Sequence, residues 1–397
     1  MKWASAVSEK QNLEEALREC AAQVRGALGD GPPDLALVFV SGHFAAQYES
    51  VPTMVGEHLG STLLLGCSAG GVIGGGREIE QRHGVSLTAA SLPDVELSAF
   101  HLRGDDLPDL DASPDAWEDA FNVTAQDDPG FVLLVDPFSF PAQNFLMGLD
   151  YAFAKSAKIG GLASGGRRAG ENALFLGDKV HREGAIGLAL KGNVIVDTVV
   201  AQGCRPVGKL MSITKSNQNL LQEMDGRPPL EVLRELFSES EERDQGLMQH
   251  SLFLGVLMDD FIDNPQQGDF LIRNIIGMDA RSGAMAVGEL LREGQRVRFH
   301  LRDALTSAED LAALLARYGS AERASPCEGA LLFSCLGRGQ YLYGRPDHDT
   351  ELFADKVGVM PLGGFFCNGE IGQVAGTTFL HGYTSSFGIF RPMHGDK

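Results

Sequence analysis

The chain has 397 residues, 44% of them hydrophobic and 22% charged, with a formal net charge of −20. Its length allows two or three domains, and so acidic a chain, with no Lys/Arg run to offset the charge, repels a phosphate backbone and argues against nucleic-acid binding. No apolar run reaches the length of a membrane span and the N-terminus lacks a signal-peptide core, so the expectation is a soluble protein of the cytoplasm.

In chain order, the first predicted element is a helix over 9–28. Leu13, Leu17, Cys20, Val24 and Leu28 recur at helical spacing, with Ser8 and Gln11 as a capping box. A buried strand follows at Leu35 to Val40, then an amphipathic stretch and a second strand, Leu63 to Leu65, ending in GCSAGG. The same order returns at Phe131 to Val135, with a helix marked by Leu146, Leu149 and Phe153 and the cluster GGLASGG after Ile159. A third copy begins at Ala330 to Ser334 and ends in GGFFCNGE. Each spacing suits a β-α-β unit, and duplication of one such unit within and between two domains accounts for the three.

Two pairs of runs, 85–92 with 95–102 and 184–190 with 194–201, read as antiparallel hairpins. The domain boundary is placed at the polar turn QEMDGRPP, giving domains 1–224 and 225–397. The fold class is α/β with an α+β tendency: mixed sheets covered by helices in two related domains. A four-layer αββα sandwich is compatible with that pattern.

Glycine, at 49 residues, is the compositional outlier, and its clusters are the candidate site. Three segments after strands combine glycines with small polar residues. The first holds Gly66, Cys67, Ser68, Gly70 and Gly71; the second Gly160, Gly161, Ser164, Gly165 and Arg167; the third Gly363, Gly364, Asn368 and Glu370. Loops of this kind present backbone N–H groups to a carboxylate or similar anion; tight turns with positive φ are the competing reading. Arg338, between two glycines after a strand, is placed to fork onto a carboxylate, with a structural ion pair as its alternative.

Gly66-Cys67-Ser68-Ala69-Gly70 also matches the nucleophile elbow of serine hydrolases, which requires a helix after the serine. The stretch after Gly71, VIGGGREIEQ, starts a helix poorly. Ser68 and Cys67 are therefore secondary catalytic candidates, for a hydrolase or acyl-transfer enzyme, and a small buried thiol is the preferred account of Cys67. The six cysteines form no C-x-x-C pair, the histidines have no ligand spacing, and no Walker lysine follows a glycine loop. No cofactor and no metal are expected.

Longer compound patterns carry a resemblance. LLLGCSAGGVIGGGREIE, GVSLTAASLPDVELSAFHL and AQGCRPVGKLMSITKSNQNLLQEMDGRPPLEVL are similar to the FIST N-terminal domain. FLIRNIIGMDARSGAMAVGELLREGQRVRFHLRDA, LLFSCLGRGQYLYG and GGFFCNGEIGQVAGTTFLHGYTSSFGIF resemble the FIST C-terminal domain. Together they cover nearly the whole chain. The resemblance implies a sensory domain for small ligands, amino acids among those proposed, in a family that elsewhere joins the pair to receptors, kinases or an F-box. Here the pair stands alone, so any signal is expected to pass through a downstream protein, and an interaction scaffold is a further alternative.

Overall fold

A computed structural model describes residues 1–29, 31–60 and 62–394. The chain forms two compact units, neither continuous in sequence. The first comprises Met1–Val200, Ala312–Leu380 and the segment from Thr384; the second comprises Ala201–Leu311 with His381–Tyr383.

The first unit is one supersecondary pattern used three times. Repeat 1 runs β1 (Lys2–Ser8), α1 (Leu13–Leu28), β2 (Leu35–Ser41), α2 (Val51–Leu59) and β3 (Leu63–Ala69). It ends in a short hairpin, β4 (Gly71–Gly74) and β5 (Arg77–Glu80), and a returning strand, β6 (Val85–Ser91). Repeat 2 follows the same order: β7 (Val95–Leu102), α3 (Pro114–Phe121), β8 (Gly130–Val135), α4 (Ala142–Ala152) and β9 (Lys158–Leu162). Its hairpin is β10 (Leu174–Leu176) and β11 (Lys179–His181), and its returning strand is β12 (Ala185–Gly192).

Repeat 3 starts with β13 (Ile195–Ala201) and is then interrupted by the second unit. That unit contains β14 (Cys204–Asn217), β15 (Leu220–Met224), α5 (Pro229–Glu239), α6 (Glu242–Met248), β16 (Leu252–Leu257), β17 (Phe270–Met278), β18 (Met285–Val287) and β19 (Arg296–Arg302). Repeat 3 resumes with α7 (Ala304–Ser320), β20 (Gly329–Cys335), α8 (Gly339–Tyr343), α9 (His348–Lys356) and β21 (Leu362–Cys367). It closes with the hairpin β22 (Glu370–Val374) and β23 (Thr377–His381), and β24 (Ser385–Arg391).

Three six-stranded sheets result, with orders β1-β6-β2-β3-β10-β11, β7-β12-β8-β9-β22-β23 and β13-β24-β20-β21-β4-β5. Four strands of each sheet come from one repeat and the last two are the hairpin of another. Repeat 1 lends its hairpin to the third sheet, repeat 2 to the first, and repeat 3 to the second, closing a cycle. The two central strands of each β-α-β unit pair in parallel and in matching register, with Val38 opposite Gly66, Leu133 opposite Gly160 and Leu332 opposite Gly364.

Near-continuous apolar runs such as LALVFV and GFVLLV are buried on both faces, as a strand covered from both sides demands. The inward faces of all three sheets share one core that includes Phe39, Cys67, Val132, Ile159, Phe333 and Phe365. Phe39 stacks on Phe365 across two sheets, with ring centroids 4.7 Å apart. Leu13, Leu17 and Val55 of α1 and α2 cover the outer face of the first sheet. Trp117 and Phe145 of α3 and α4 cover the second, and Phe353 of α9 stacks on Phe387 of β24 in the third.

Several expectations are corrected. The leading helix starts at Leu13, capped by the Asn12 side chain, and Ser8 belongs to β1, which precedes it. β6 and β7 do not pair with each other, nor do β12 and β13: each turn carries the chain from one repeat, and one sheet, to the next. The mixed α/β class stands, but three sheets, not two back to back, enclose the core. The repeats all lie in the first unit, and the third straddles position 224. Their unequal spacing in the sequence reflects the second unit inserted into repeat 3.

The second unit is a closed barrel of antiparallel strands ordered β14-β15-β18-β17-β16-β19, filled by Ile213, Leu254, Met285 and Phe299. The amide of Gly203 donates to Asp310 at 3.1 Å, and Ser307 donates to the Gly203 carbonyl at 2.7 Å, so the ends of the inserted segment lie side by side. Among the described residues, no helix is long and apolar enough to cross a membrane.

Candidate functional site

The predicted glycine loops begin inside strands. A Cβ on Gly66 would lie 2.0 Å from the Val38 carbonyl oxygen, on Gly160 1.9 Å from that of Leu133, and on Gly364 1.9 Å from that of Leu332. Glycine is required at this register because the neighbouring parallel strand comes too close for any side chain. Gly161 is just as crowded, its Cβ position 2.3 Å from Cys367 Sγ, and that of Gly363 is 2.0 Å from Thr88 Oγ1.

Four residues beyond each of these strand glycines stand Gly70, Ser164 and Asn368, and here the three segments meet. Ser164 Oγ accepts a hydrogen bond from the Gly70 amide at 2.9 Å and donates to the Phe366 carbonyl. The Asn368 amide donates to the Leu162 carbonyl at 3.1 Å, and the amides of Ser164 and Gly165 donate to the Ser68 carbonyl at 3.2 and 3.3 Å. Gly70, Ser164 and Gly165 are half-buried and Asn368 and Arg167 are exposed, so the junction has an open side. The Arg167 guanidinium makes no ion pair among the described residues, although its amide donates to Glu171.

Ser68 lies beneath this junction, wholly buried. Its hydroxyl donates to Asn172 Oδ1 at 3.1 Å and accepts from the Ala173 amide at 3.0 Å. Asn172 in turn donates to Asp136 Oδ1 at 3.0 Å. The arrangement has the outline of a catalytic relay but an amide in the middle, and an amide does not take up a proton as histidine does. The nucleophile elbow is not formed: β3 passes into β4, not into a helix. Burial pushes the Cys67 thiol well above its ordinary value, the reverse of an activated cysteine.

Arg338 is wholly buried, and its fork is taken up internally. Nε donates to Asp349 Oδ2 at 2.9 Å and Nη2 to Oδ1 at 3.3 Å. Asp349 also receives the Ser385 hydroxyl at 2.6 Å and faces His348 Nδ1 at 2.9 Å. Burial works against the Asp349 charge, but Arg338 and the hydrogen bonds from His348 and Ser385 outweigh it and hold the carboxyl below its usual range. The carboxylate anticipated for Arg338 from a ligand is thus supplied by the protein; Nη1 is buried with no partner among the described residues.

Two glutamates of β5 brace the same cluster. Glu80 accepts from the Gln340 amide in the first turn of α8 at 2.8 Å, and Glu78 from the Thr350 amide in that of α9 at 2.9 Å. Burial first, and then the negative charge of Asp349, push Glu78 up to about 8. Glu370 is buried and ties β22 to the start of β24, accepting from the Thr384 amide at 3.1 Å and hydroxyl at 2.8 Å. Among the described residues, no group of three or more His, Cys, Asp or Glu could hold a metal ion. Asn172, Asp136 and Asp349 were not singled out from sequence: Asn172 lies 104 residues from Ser68 and 36 from Asp136, and Asp349, 11 residues from Arg338, stands in no motif that marks it. Only the polar residue ending the apolar run of β8 hinted at Asp136.

The model of the FIST N domain matches residues 34–227 and that of the FIST C domain residues 229–373. An uncharacterized protein of Mycobacterium tuberculosis strain H37Rv is 37% identical over 97% of this chain and 98% of its own. One from Mycobacterium bovis is 34% identical over 95% of each. Among solved structures, a cyanuric acid hydrolase from A. caulinodans aligns over 99% of this chain and 100% of its own at 9% identity, with a TM-score of 0.36.

Proposed function

The chain belongs to the FIST family, and from that premise we propose that it is a small-ligand sensory protein whose ligand sits on the junction of the three glycine segments. FIST domains are sensory, signal-transduction domains that bind small ligands. The observation that carries the placement is Ser164, whose one hydroxyl group joins all three segments. A molecule resting there touches all three segments at once.

The ligand class is a small carboxylate, amino acids included. Asp349 already occupies Arg338, which leaves the exposed guanidinium of Arg167 as the charged group for recognition, with the exposed Asn368 side chain as a polar group of the third segment. Output passes to a downstream protein.

The test is a thermal-shift and calorimetric screen of amino acids and small carboxylates against wild type, Arg167→Gln and Ser164→Leu. A true ligand at one hundred times its dissociation constant stabilises the fold by about 2.7 kcal/mol. Arg167→Gln is expected to weaken it tenfold or more, and Ser164→Leu to abolish binding while the protein still melts cooperatively. Equal binding by all three proteins would move the site elsewhere.

A further inference from the structure

Two of the six cysteines stand side by side in one sheet. Cys335 ends β20 and Cys367 ends β21, and the parallel register of these strands sets the two residues opposite each other. Side chains alternate between the faces of a strand. Two residues earlier, Phe333 and Phe365 are also register partners; both point into the central core and meet edge to face, with ring centroids 5.8 Å apart. Cys335 and Cys367 therefore share that inner face.

The Cys367 thiol leans toward its neighbour. It donates to the Phe365 carbonyl at 3.5 Å. The Pro361 and Cys367 carbonyls accept from the Ala330 and Leu336 amides at 2.8 and 3.0 Å, so the carbonyls of odd-numbered residues in β21, Phe365 among them, face β20. No other cysteine has a thiol in register with it. Cys67 is opposite Phe39 and Leu174, and Cys204 is opposite Arg302. Cys20 lies on α1, and Cys327, outside any strand, faces the Tyr318 hydroxyl at 3.3 Å.

Neighbouring strands lie about 4.8 Å apart, within the Cα separation of about 4.4–6.8 Å that a disulfide spans. The spacing exceeds the usual Cβ separation of about 3.8 Å, so a bond between the strands forms under strain and is readily reduced. That is the property of a redox-responsive pair, not of a structural bridge.

We propose that Cys335 and Cys367 form a reversible modification site, oxidised by a peroxide to a cross-strand disulfide. Cys335 is partly exposed, whereas Cys367 is wholly buried and burial pushes its thiol well above the ordinary range, so Cys335 reacts first. Its sulfur attacks one oxygen of hydrogen peroxide and the O–O bond breaks. The other oxygen leaves as hydroxide, takes up the thiol proton as water, and a sulfenic acid remains. The Cys367 sulfur then attacks that of Cys335; the S–O bond breaks, and the hydroxyl leaves with the Cys367 proton as a second water. Two thiols are oxidised to one disulfide and one peroxide is reduced to two waters. The site rests on strand register and not on the ligand reading, although it adjoins the junction: Cys367 stands between Phe366, whose carbonyl accepts from Ser164, and Asn368.

The test exposes the folded wild type to hydrogen peroxide, unfolds it in N-ethylmaleimide to cap the remaining thiols, and maps an unreduced digest by mass spectrometry. One peptide pair joined through Cys335 and Cys367 is expected, and dithiothreitol treatment before unfolding should remove it. In Cys367→Ala no thiol resolves the sulfenic acid, so dimedone labelling of Cys335 should rise about fivefold or more over wild type. Cys335→Ala should leave Cys367 a thiol. No joined pair at a peroxide dose that oxidises the exposed Met147 overturns the proposal, as does a pair joined through Cys67 instead or equal dimedone labelling of wild type and Cys367→Ala.

Discussion

The two units of this chain solve the same burial problem differently. The first wraps three sheets around one core, and its central strands are buried on both faces. The barrel closes antiparallel strands on themselves, and β14 and β17 leave much of their length to solvent. Tight parallel pairing forces glycine into the strands of the first unit, and the exchange of hairpins traps charged groups within it. Those charges must be neutralised internally, as Arg338 and Asp349 are. The barrel is assembled from hydrogen bonds within one inserted segment, and its buried Arg273 is likewise paired internally, with Glu289 at 2.7 Å.

The strongest way to break that comparison is to cut the chain. Residues 1–227 alone lack β20, β21 and β24, so the third sheet cannot form and the second loses its outer hairpin. This fragment is expected to show no cooperative melt by circular dichroism. Replacing 204–306 by a short linker, by contrast, should leave a cooperatively folding first unit, because the ends of the insert adjoin.

Next come the glycines. Gly66→Ala, Gly160→Ala and Gly364→Ala each force a Cβ into a carbonyl oxygen, at an expected cost of about 4 kcal/mol or more in chemical denaturation. Gly277→Ala in barrel strand β17 meets nothing within 4 Å and should stay within about 0.5 kcal/mol of wild type. Asp349→Asn, which strands the buried Arg338, should cost about 3 kcal/mol. A loss below about 1 kcal/mol would mean that the pair is not confined as described.

The last test is the pH dependence, where the units should move in opposite senses. Glu78, raised to about 8 by burial and by Asp349, keeps its proton in the fold where the unfolded chain has lost it, so stability falls as pH rises from about 4.5 to 8. His300 in the barrel is lowered to about 4 by burial, so it stays neutral in the fold and stability falls as pH drops from 6.5 toward 4. Glu78→Gln should flatten the alkaline side of a Tm profile, and His300→Gln the acid side. If both changes act on the same side, the assignment of these groups is wrong.

Much of the first unit was legible because its signals are local. The β-α-β units at Leu35, Phe131 and Ala330 are continuous apolar runs with helical spacing between them, and the structure pairs each in parallel. β1 was missed because Ala4, Ser5 and Ala6 give little pattern. The hairpins were misjudged because a turn such as Pro93-Asp94 looks the same whether its flanking strands pair or part into different sheets. That the three glycine clusters meet followed from their common position after a second strand; that Asp349 claims Arg338 did not, since burial of both is a property of the finished core.

The cyclic loan of hairpins also bears on how the protein meets another copy of itself. β10–β11 completes a sheet built by a different repeat, and nothing in that pairing requires the recipient to be the same chain. At high concentration during refolding, a hairpin can complete the sheet of its neighbour with every native contact kept, and that neighbour can pass its own hairpin on. Misassembly of this protein should therefore yield soluble, natively packed oligomers whose proportion rises with refolding concentration.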